Sequence, residues 1–457
     1  MSTTETSLVP LKEEVKEEVS ELQVTFNPPL YLERRGWVFS IMRKEKVKEV
    51  LDVGCGSGEL VCCLCNPAPW IEVPPNCTCD DNQDEDPSRI EFVIPEPDDN
   101  IHARAVHALD ISQSDLKYAV SGTKPRDPSS CSVWDPVRWE ELEVNVWEGG
   151  LESFNEGFVG IECIVSTEVI EHLSPESLSN FAPMLLGVYH PRLFLITTPS
   201  YTFNARFTPP NAPSSARQGF LDPTGRTDRI FRHDDHKFEW TVEEFKEYCE
   251  EVAQEWGYEV EVSGVGKAVE IDEWARDEAL GFASQTAMFR RLEGSEYSVE
   301  RERKSCEYLQ RAKTRKAHQL LATNFHPTHA KAKKPETAKQ IGGRVKGMMK
   351  KYREEFMTLR ELWFETEISA ACGGRVELLG YSVKNHAELE LRKIEDVWQV
   401  KWLSYKPEAK KKTPGQTAQA LEEVWKPPAQ QFEQTEWGDV ENARLWAAQC
   451  GWGSQEY

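Results

Sequence analysis

The feature that most constrains this chain is LDVGCGSGEL, residues 51–60, an apolar run that ends in three alternating glycines. Gly54, Gly56 and Gly58 can take positive φ and let the backbone approach a ligand closely, as a strand must where it turns into a helix under a nucleotide. Short apolar strands alternate with amphipathic segments on either side of this turn. Strands are predicted at 50–53, 106–109, 163–166 and 193–197. A helix is predicted from Glu168 and another over 241–254, and 258–262 with 286–289 should form an antiparallel pair at one edge. This alternation predicts an α/β fold, a mostly parallel sheet with helices on both faces.

The glycine spacing is Asp-x-Gly-x-Gly-x-Gly, with Asp52 near the strand end, rather than the GxGxxG of dinucleotide sites. S-adenosylmethionine carries no pyrophosphate to be seated on a helix N-terminus, so this turn favours it over NAD. Asp110 closes the next strand, where a carboxylate could accept both ribose hydroxyls or simply cap a helix. Gly149 and Gly150 would open the turn over the adenine. The stretch 62–101, rich in Pro, Asp and Asn, reads as an inserted surface loop that lengthens the usual interval before Asp110. It carries Cys62 and Cys65 at CxxC spacing, but Cys77 and Cys79 at only CxC, so free thiols are favoured over a zinc site.

A second chemistry follows. Glu168, Glu171 and His172 are spaced i, i+3, i+4 and would share one face if the chain turns helical at Glu168. FRHDDHKFEWT then places His233, Asp234, Asp235 and His236 before an aromatic run. Neither cluster has the HExxH or HxxEH spacing of zinc peptidases. Acids at a helix start are common without a ligand, and it is the pair of clusters that points to a divalent cation.

Five segments carry a family resemblance: FNPPLYLERR (26–35), LDVGCGSGEL, EVIEHL, TTPSYTFN (197–204) and DHKFEWT. Together they resemble the small-RNA 2′-O-methyltransferases of the Hua-enhancer type, in a fungal-like variant with an insertion and a C-terminal extension. The resemblance covers residues 26–291. It implies a Rossmann-like class I methyltransferase fold with a mostly parallel seven-stranded sheet, and methylation of the 2′-hydroxyl of the 3′-terminal nucleotide of small RNAs. It also implies a metal held by Glu168, Glu171, His172 and His236, the last chosen over His233 because it directly precedes KFEW. The cofactor residues implied are Asp52, Gly54, Gly56, Gly58, Asp110 and Gly150. Glu162 departs from the family's more usual Asp.

Two carboxylates with two imidazoles suit Mn²⁺ at least as well as Mg²⁺, which prefers an all-oxygen shell. Such a cation would lower the pKa of the ribose hydroxyl and fix its position. Arg34, Arg35, Tyr201, Phe203 and Arg232 are candidate contacts for the RNA end. Two alternatives stay open: a small-molecule O-methyltransferase, and an RNA-binding protein that has lost its chemistry.

The rest of the chain is less specific. The net charge of −23 argues against general adhesion to nucleic acid. Residues 301–360 nevertheless hold 17 Lys and Arg against 5 Asp and Glu. They read as a basic helix or linker (292–365), or as an arm tracking polyphosphate. Residues 1–24 read as a disordered acidic arm, and 366–457 as a partly ordered or disordered tail with a hairpin near 375–391. The mean hydropathy is −0.58, and no apolar run approaches the roughly 18 residues that a membrane-spanning helix needs. Twelve cysteines without a secretory signal favour a reduced, cytoplasmic or also nuclear setting. The expected partners are the 3′ end of a small RNA and a small-RNA effector protein, and a monomer is expected.

Overall fold

The computed structural model describes residues 21–73, 100–126, 136–213, 216–311 and 316–406. The acidic arm through residue 20, Cys77, Cys79 and the tryptophans of the last fifty residues lie outside the described residues. The strands run β1 Glu49–Val53, β2 Ala105–Asp110, β3 Leu142–Glu148, β4 Cys163–Thr167, β5 Leu193–Pro199, a small hairpin β6 Phe220–Leu221 and β7 Ile230–Phe231, β8 Tyr258–Val265, β9 Ser284–Arg291 and β10 Gln319–His326. The main sheet has the order β10-β3-β2-β1-β4-β5-β9-β8. Its β3-β2-β1-β4-β5 portion is the doubly wound order, with β1 parallel to both β2 and β4 and β8 antiparallel to β9. This is the expected Rossmann-like class I methyltransferase fold. The sheet has eight strands rather than seven.

The extra strand explains part of what the sequence hid. β10 pairs antiparallel with β3, and neither looks purely apolar. Asn145 on β3 is buried, and opposite it Thr323 donates to its side-chain oxygen at 2.6 Å. Asn324 and His326 of β10 bond to Thr123 and to the carbonyls of Val120 and Thr123. Polar side chains that satisfy one another stand where a hydrophobic pattern was sought.

Two compact units divide the chain. One takes in the described residues of 21–34, 167–187 and 195–305. It contains β8, β9, the start of helix α1 Leu30–Lys44, α4 Pro175–Ala182, α5 Val242–Trp256, the short α6 Asp277–Leu280 and most of α7 Ser295–Arg311. α5 begins with a reciprocal cap, in which Thr241 and Glu244 each accept the other's backbone N–H, and ends at left-handed Gly257. The guanidinium of Arg301, on α7, is buried against the carbonyls of Trp256, Gly257 and Leu292.

The other unit takes in the described residues of 35–166, 188–194 and 306–406. It contains β1–β3, α2 Glu59–Leu64, α3 Gln113–Gly122 and a C-terminal lobe of α8 Ala338–Tyr352, β11 Phe356–Thr358, α9 Leu359–Phe364, α10 Thr366–Ala371, α11 Glu377–Lys384, β12 Leu389–Ile394 and β13 Val397–Trp402. The lobe has its own core. Ile341, Val345, Met349, Leu362, Trp363 and Leu379 pack with Trp70 and Val73 from the segment read as a surface loop. The Trp363 indole N–H donates to the carbonyl of Pro69 at 3.0 Å. That correction is physical: Trp70 and Val73 are anchors, although the Pro and Asn around them looked like turn chemistry.

The segment 292–365 is likewise not a basic helix or an arm. It forms α7, β10, α8, β11 and α9, and several of its charges are committed to ion pairs. Arg344 pairs with Glu336 and Glu367, Lys346 with Glu388, and Arg303 with Glu300. The hairpin expected near 375–391 is displaced to β12–β13, because 377–384 forms a helix instead.

Candidate metal centre and cofactor turn

The first unit holds the acid–imidazole cluster. β4 ends at Thr167, and Glu168 follows at φ +54°, so no helix begins there. Ile170–His172 is a single 3₁₀ turn, and α4 starts only after Ser174 caps it. The expected shared helix face is therefore replaced by a tight turn. A glutamate in the left-handed region costs about 1–2 kcal/mol and is held there by its N–H bonding to Thr197 O at 3.0 Å. Such outliers concentrate where structure serves a site.

The turn brings Glu171 and His172 to His236. One ligand atom from each of the three lies within 4.8 Å of the others. The Lys237 N–H clips the loop on by donating to Glu171 O at 2.7 Å. Glu171 is fully buried. Its Oε2 accepts from Thr198 at 3.0 Å, while Oε1 is buried without a hydrogen-bond partner. A buried carboxylate oxygen left unpaired, with two imidazoles around it, fits a divalent cation. His233, Asp235 and His236 form a second such group, more exposed than the first. Asp235 receives His233 Nδ1 at 2.5 Å and lies 3.1 Å from His172 Nδ1, off the direction of a hydrogen bond.

Glu168, the fourth expected ligand, belongs to neither group. Its oxygens are taken by Arg34 Nη1 at 2.5 Å and Thr197 Oγ1 at 2.8 Å. It remains near enough for its charge to act on Glu171 and to feel His236. Burial, reinforced by Glu168, raises Glu171 well above the usual carboxylate range, and burial also raises Glu168 against the opposing pull of Arg34. Burial lowers the His172 pKa, keeping its ring neutral.

The sequence did not single out Glu239 or Asn204. Glu239 is fully buried, and its Oε1 accepts from His236 Nδ1 at 2.8 Å. The expected RNA contacts are all engaged within the protein. Arg34 binds Glu168, Arg35 pairs with Glu59, and Arg232 lies over Phe207 and pairs with Glu21. Tyr201 lies under Arg229, and Phe203 is buried beside Phe26 and Phe207.

The second unit holds the glycine turn. Gly54, Gly56 and Gly58 have φ of 75°, 52° and 83°. Gly58 caps α2, and a Cβ there would stand 2.8 Å from the Cβ of Ala119. Asp110 ties the turn to the neighbouring strand, Oδ2 accepting from Gly56 N and Oδ1 from Ser112 N, each at 2.8 Å. Each oxygen has a second lone pair, so helix capping and ribose binding are compatible. Asp52 is buried, and desolvation followed by repulsion from Asp110 lifts its carboxyl to about 7 against the pull of Arg35. Gly149 and Gly150 lie under His318, whose Nε2 donates to Gly150 O at 3.0 Å. Glu162 receives the N–H groups of Lys48 and Glu49 and pairs with Arg192, a bracing role its extra methylene does not prevent. Among the described residues no cysteine is in a disulfide and none joins a metal-holding group.

No protein-family model matches the chain. Curated proteins do. A small RNA 2′-O-methyltransferase of Xenopus tropicalis is 31% identical over 281 residues, covering 60% of this chain and 59% of the relative. One of Arabidopsis thaliana is 27% identical over 278 residues, 60% of this chain and 24% of the relative. One of Schizosaccharomyces pombe is 24% identical over 273 residues, 58% and 61%. Over about 60% of its length the chain is similar to proteins named as small RNA 2′-O-methyltransferases. It spans less than two thirds of the length of each. Among solved structures, that of the small RNA methyltransferase HEN1 aligns with a TM-score of 0.42 at 22% identity, covering 67% of this chain and 28% of that one. The methyltransferase domain of bacterial CtHen1 aligns with a TM-score of 0.36 at 21%, covering 57% and 98%. Among the described residues no helix is long and apolar enough to cross a membrane.

Proposed function

We propose that this chain moves a methyl group from S-adenosylmethionine to the 2′-hydroxyl of the 3′-terminal nucleotide of a small RNA, with the help of a divalent cation. The observation that carries this reading is the convergence of the unpaired Glu171 oxygen with His172 and His236, in a chain related to proteins named for that activity. Glu171, His172 and His236 would hold the ion, with Glu168, tied to Arg34 and Thr197, adding its charge beside them. When bound, the ion supplies the Lewis acidity that makes a ribose hydroxyl a competent nucleophile near neutral pH.

The protein's own groups do the rest. Burial keeps His172 neutral, so a ring nitrogen stays available to donate its lone pair. The glycine turn gives the donor nucleoside a close backbone surface, and Asp110 offers its remaining lone pairs to ribose hydroxyls. The 2′ oxygen attacks the methyl carbon. A C–O bond forms as the C–S bond breaks, the hydroxyl proton passes to solvent water, and S-adenosylhomocysteine leaves. Protection of the RNA end from modification and decay, a monomeric state, contact with a small-RNA effector protein and a cytoplasmic or nuclear location belong to the same proposal.

The test is methyl transfer onto otherwise identical RNAs ending in a 2′,3′-diol, a 2′-deoxy sugar or a 3′-phosphate, in chelator and with Mn²⁺ or Mg²⁺ restored. Only the diol should accept methyl, only with metal present, and Mn²⁺ should serve at least as well as Mg²⁺. Equal methylation of the 2′-deoxy end would place the methyl elsewhere on the RNA and overturn the 2′-hydroxyl reading, and activity indifferent to both RNA and chelator would favour a small-molecule methyltransferase.

A further inference from the structure

Two of the motifs in the sequence, TTPSYTFN and DHKFEWT, meet at one buried side chain. Glu239 stands three residues after His236. Its Oε1 accepts from His236 Nδ1 at 2.8 Å and from the backbone N–H of Arg232 at 2.9 Å. Its Oε2 accepts from Asn204 Nδ2 at 2.6 Å. Asn204 sits in the 3₁₀ turn Thr202–Phe207 and is itself buried. Arg229 adds a bond to the Glu239 carbonyl at 3.0 Å, and its guanidinium is fixed in turn by both oxygens of Glu244. A carboxylate without solvent exposure is thus held by three donors, one of them an imidazole of the acid–imidazole cluster.

The chemistry of that contact has one sense. A carboxyl group that already accepts from the Arg232 N–H and the Asn204 amide presents acceptors to the ring, which points to a His236 proton on Nδ1 and a lone pair on Nε2. A carboxylate behind a ligating histidine fixes the tautomer, locks the ring and makes the free nitrogen a better donor. We infer that Glu239, itself anchored by Asn204, is the positioning residue that commits His236 to bind a divalent cation through Nε2. This rests on the metal reading above and extends it. Asn204 and Glu239 then explain why two segments distant in sequence belong to one signature, although neither residue is among the ion's expected ligands.

The full chain, stripped of metal and titrated with Mn²⁺, tests the inference. Glu239→Gln keeps the size of the side chain but removes its charge, and should weaken Mn²⁺ binding by roughly 10- to 100-fold, the usual effect of outer partners. S-adenosylmethionine affinity, measured calorimetrically on the same samples, should be unchanged and also reports folding. Asn204→Ala leaves the carboxylate–imidazole bond in place and should weaken Mn²⁺ binding less than Glu239→Gln does. It serves as the second variant if the first does not fold. In the metal-free protein, ¹⁵N shifts of the His236 ring should show a proton on Nδ1 alone, and Glu239→Gln should give a mixture of tautomers.

Mn²⁺ affinity and tautomer both unchanged in Glu239→Gln, while His236→Ala abolishes Mn²⁺ binding, would overturn the positioning role and leave the metal site standing. Undiminished Mn²⁺ binding by His236→Ala would instead remove the metal reading itself.

Discussion

The acid–imidazole pocket and the glycine turn both follow a strand of the main sheet, yet they are finished to different degrees. At the glycine turn the polar groups are paired: Asp110 takes the N–H groups of Gly56 and Ser112, and the Gly54 N–H reaches Leu109 O at 2.8 Å. In the pocket, Glu171 Oε1 has no hydrogen-bond partner and Glu168 is held at positive φ, while burial raises both carboxyls as it raises Asp52 at the turn. The turn is a finished shape waiting for a surface to complement. The pocket is an unfinished charge balance, which a cation would complete. A site of the first kind should fail through shape and a site of the second kind through charge.

The largest effect should come from removing a pocket donor. His236→Ala or Glu171→Ala should cost more than about a hundredfold in methyl transfer, beyond the usual loss for an outer partner, with S-adenosylmethionine affinity retained. Turnover and calorimetric donor binding on the same variant decide it. If donor binding fell in step with turnover, the two regions would not be separable functions, and the contrast drawn here would break.

The reciprocal change is Gly58→Ala. A Cβ at φ 83°, 2.8 Å from that of Ala119, costs about 1–2 kcal/mol in backbone strain alone and forces α3 to give way. Donor affinity and thermal stability should fall, and Mn²⁺ binding should not. A loss of Mn²⁺ affinity comparable to the loss of donor affinity would show that strain at the turn reaches the pocket.

Acid titration separates the regions in another way. Asp52 sits with its folded pKa, about 7, above the ordinary value of 3.8. Between those values the folded state binds more protons than the unfolded chain, so this residue's contribution to stability is fullest below about pH 4 and declines as pH rises to about 7. Asp52→Asn should flatten that part of the stability profile, read as melting temperature against pH in chelator. Glu171 acts in the same sense over a range set by its own raised pKa. Because Mn²⁺ requires Glu171 ionised and the imidazoles neutral, Mn²⁺ affinity should rise with pH and its binding should release protons. A pH-independent affinity would exclude Glu171 as a ligand.

How much of this was legible in the sequence follows from what each region is made of. β1, β2, β4 and β5 are apolar runs, and their strands could be placed within a few residues. The glycine turn was visible because positive φ leaves a mark in composition. β3 and β10 escaped because Thr323 satisfies Asn145 across the pair and Asn324 bonds to Thr123 at the end of α3, which no periodicity reports. The C-terminal lobe escaped because Trp70 and Val73, hundreds of residues upstream of much of it, complete its core. In the pocket, the types and spacing of Glu171, His172 and His236 carried the chemistry. The helix supposed to gather them does not exist, and the engagement of Glu168 by Arg34 depends on a contact 134 residues away.

The smallest effect asks whether the pocket is insulated from the helix it precedes. Thr241 and Glu244 cap α5 directly after the segment bearing His236 and Glu239. Thr241→Ala should cost about 1 kcal/mol of stability, as the loss of a helix cap does. It leaves intact the bonds that hold Glu239, which come from Asn204, Arg232 and His236 rather than from the cap. Mn²⁺ affinity should therefore stay within about threefold of the wild-type value, a change of less than ~1 kcal/mol. A tenfold drop would mean that the pocket owes its geometry to the start of α5. Its incompleteness would then lie in its scaffold as well as in its charge, and the finished turn would differ from it in rigidity rather than in chemistry.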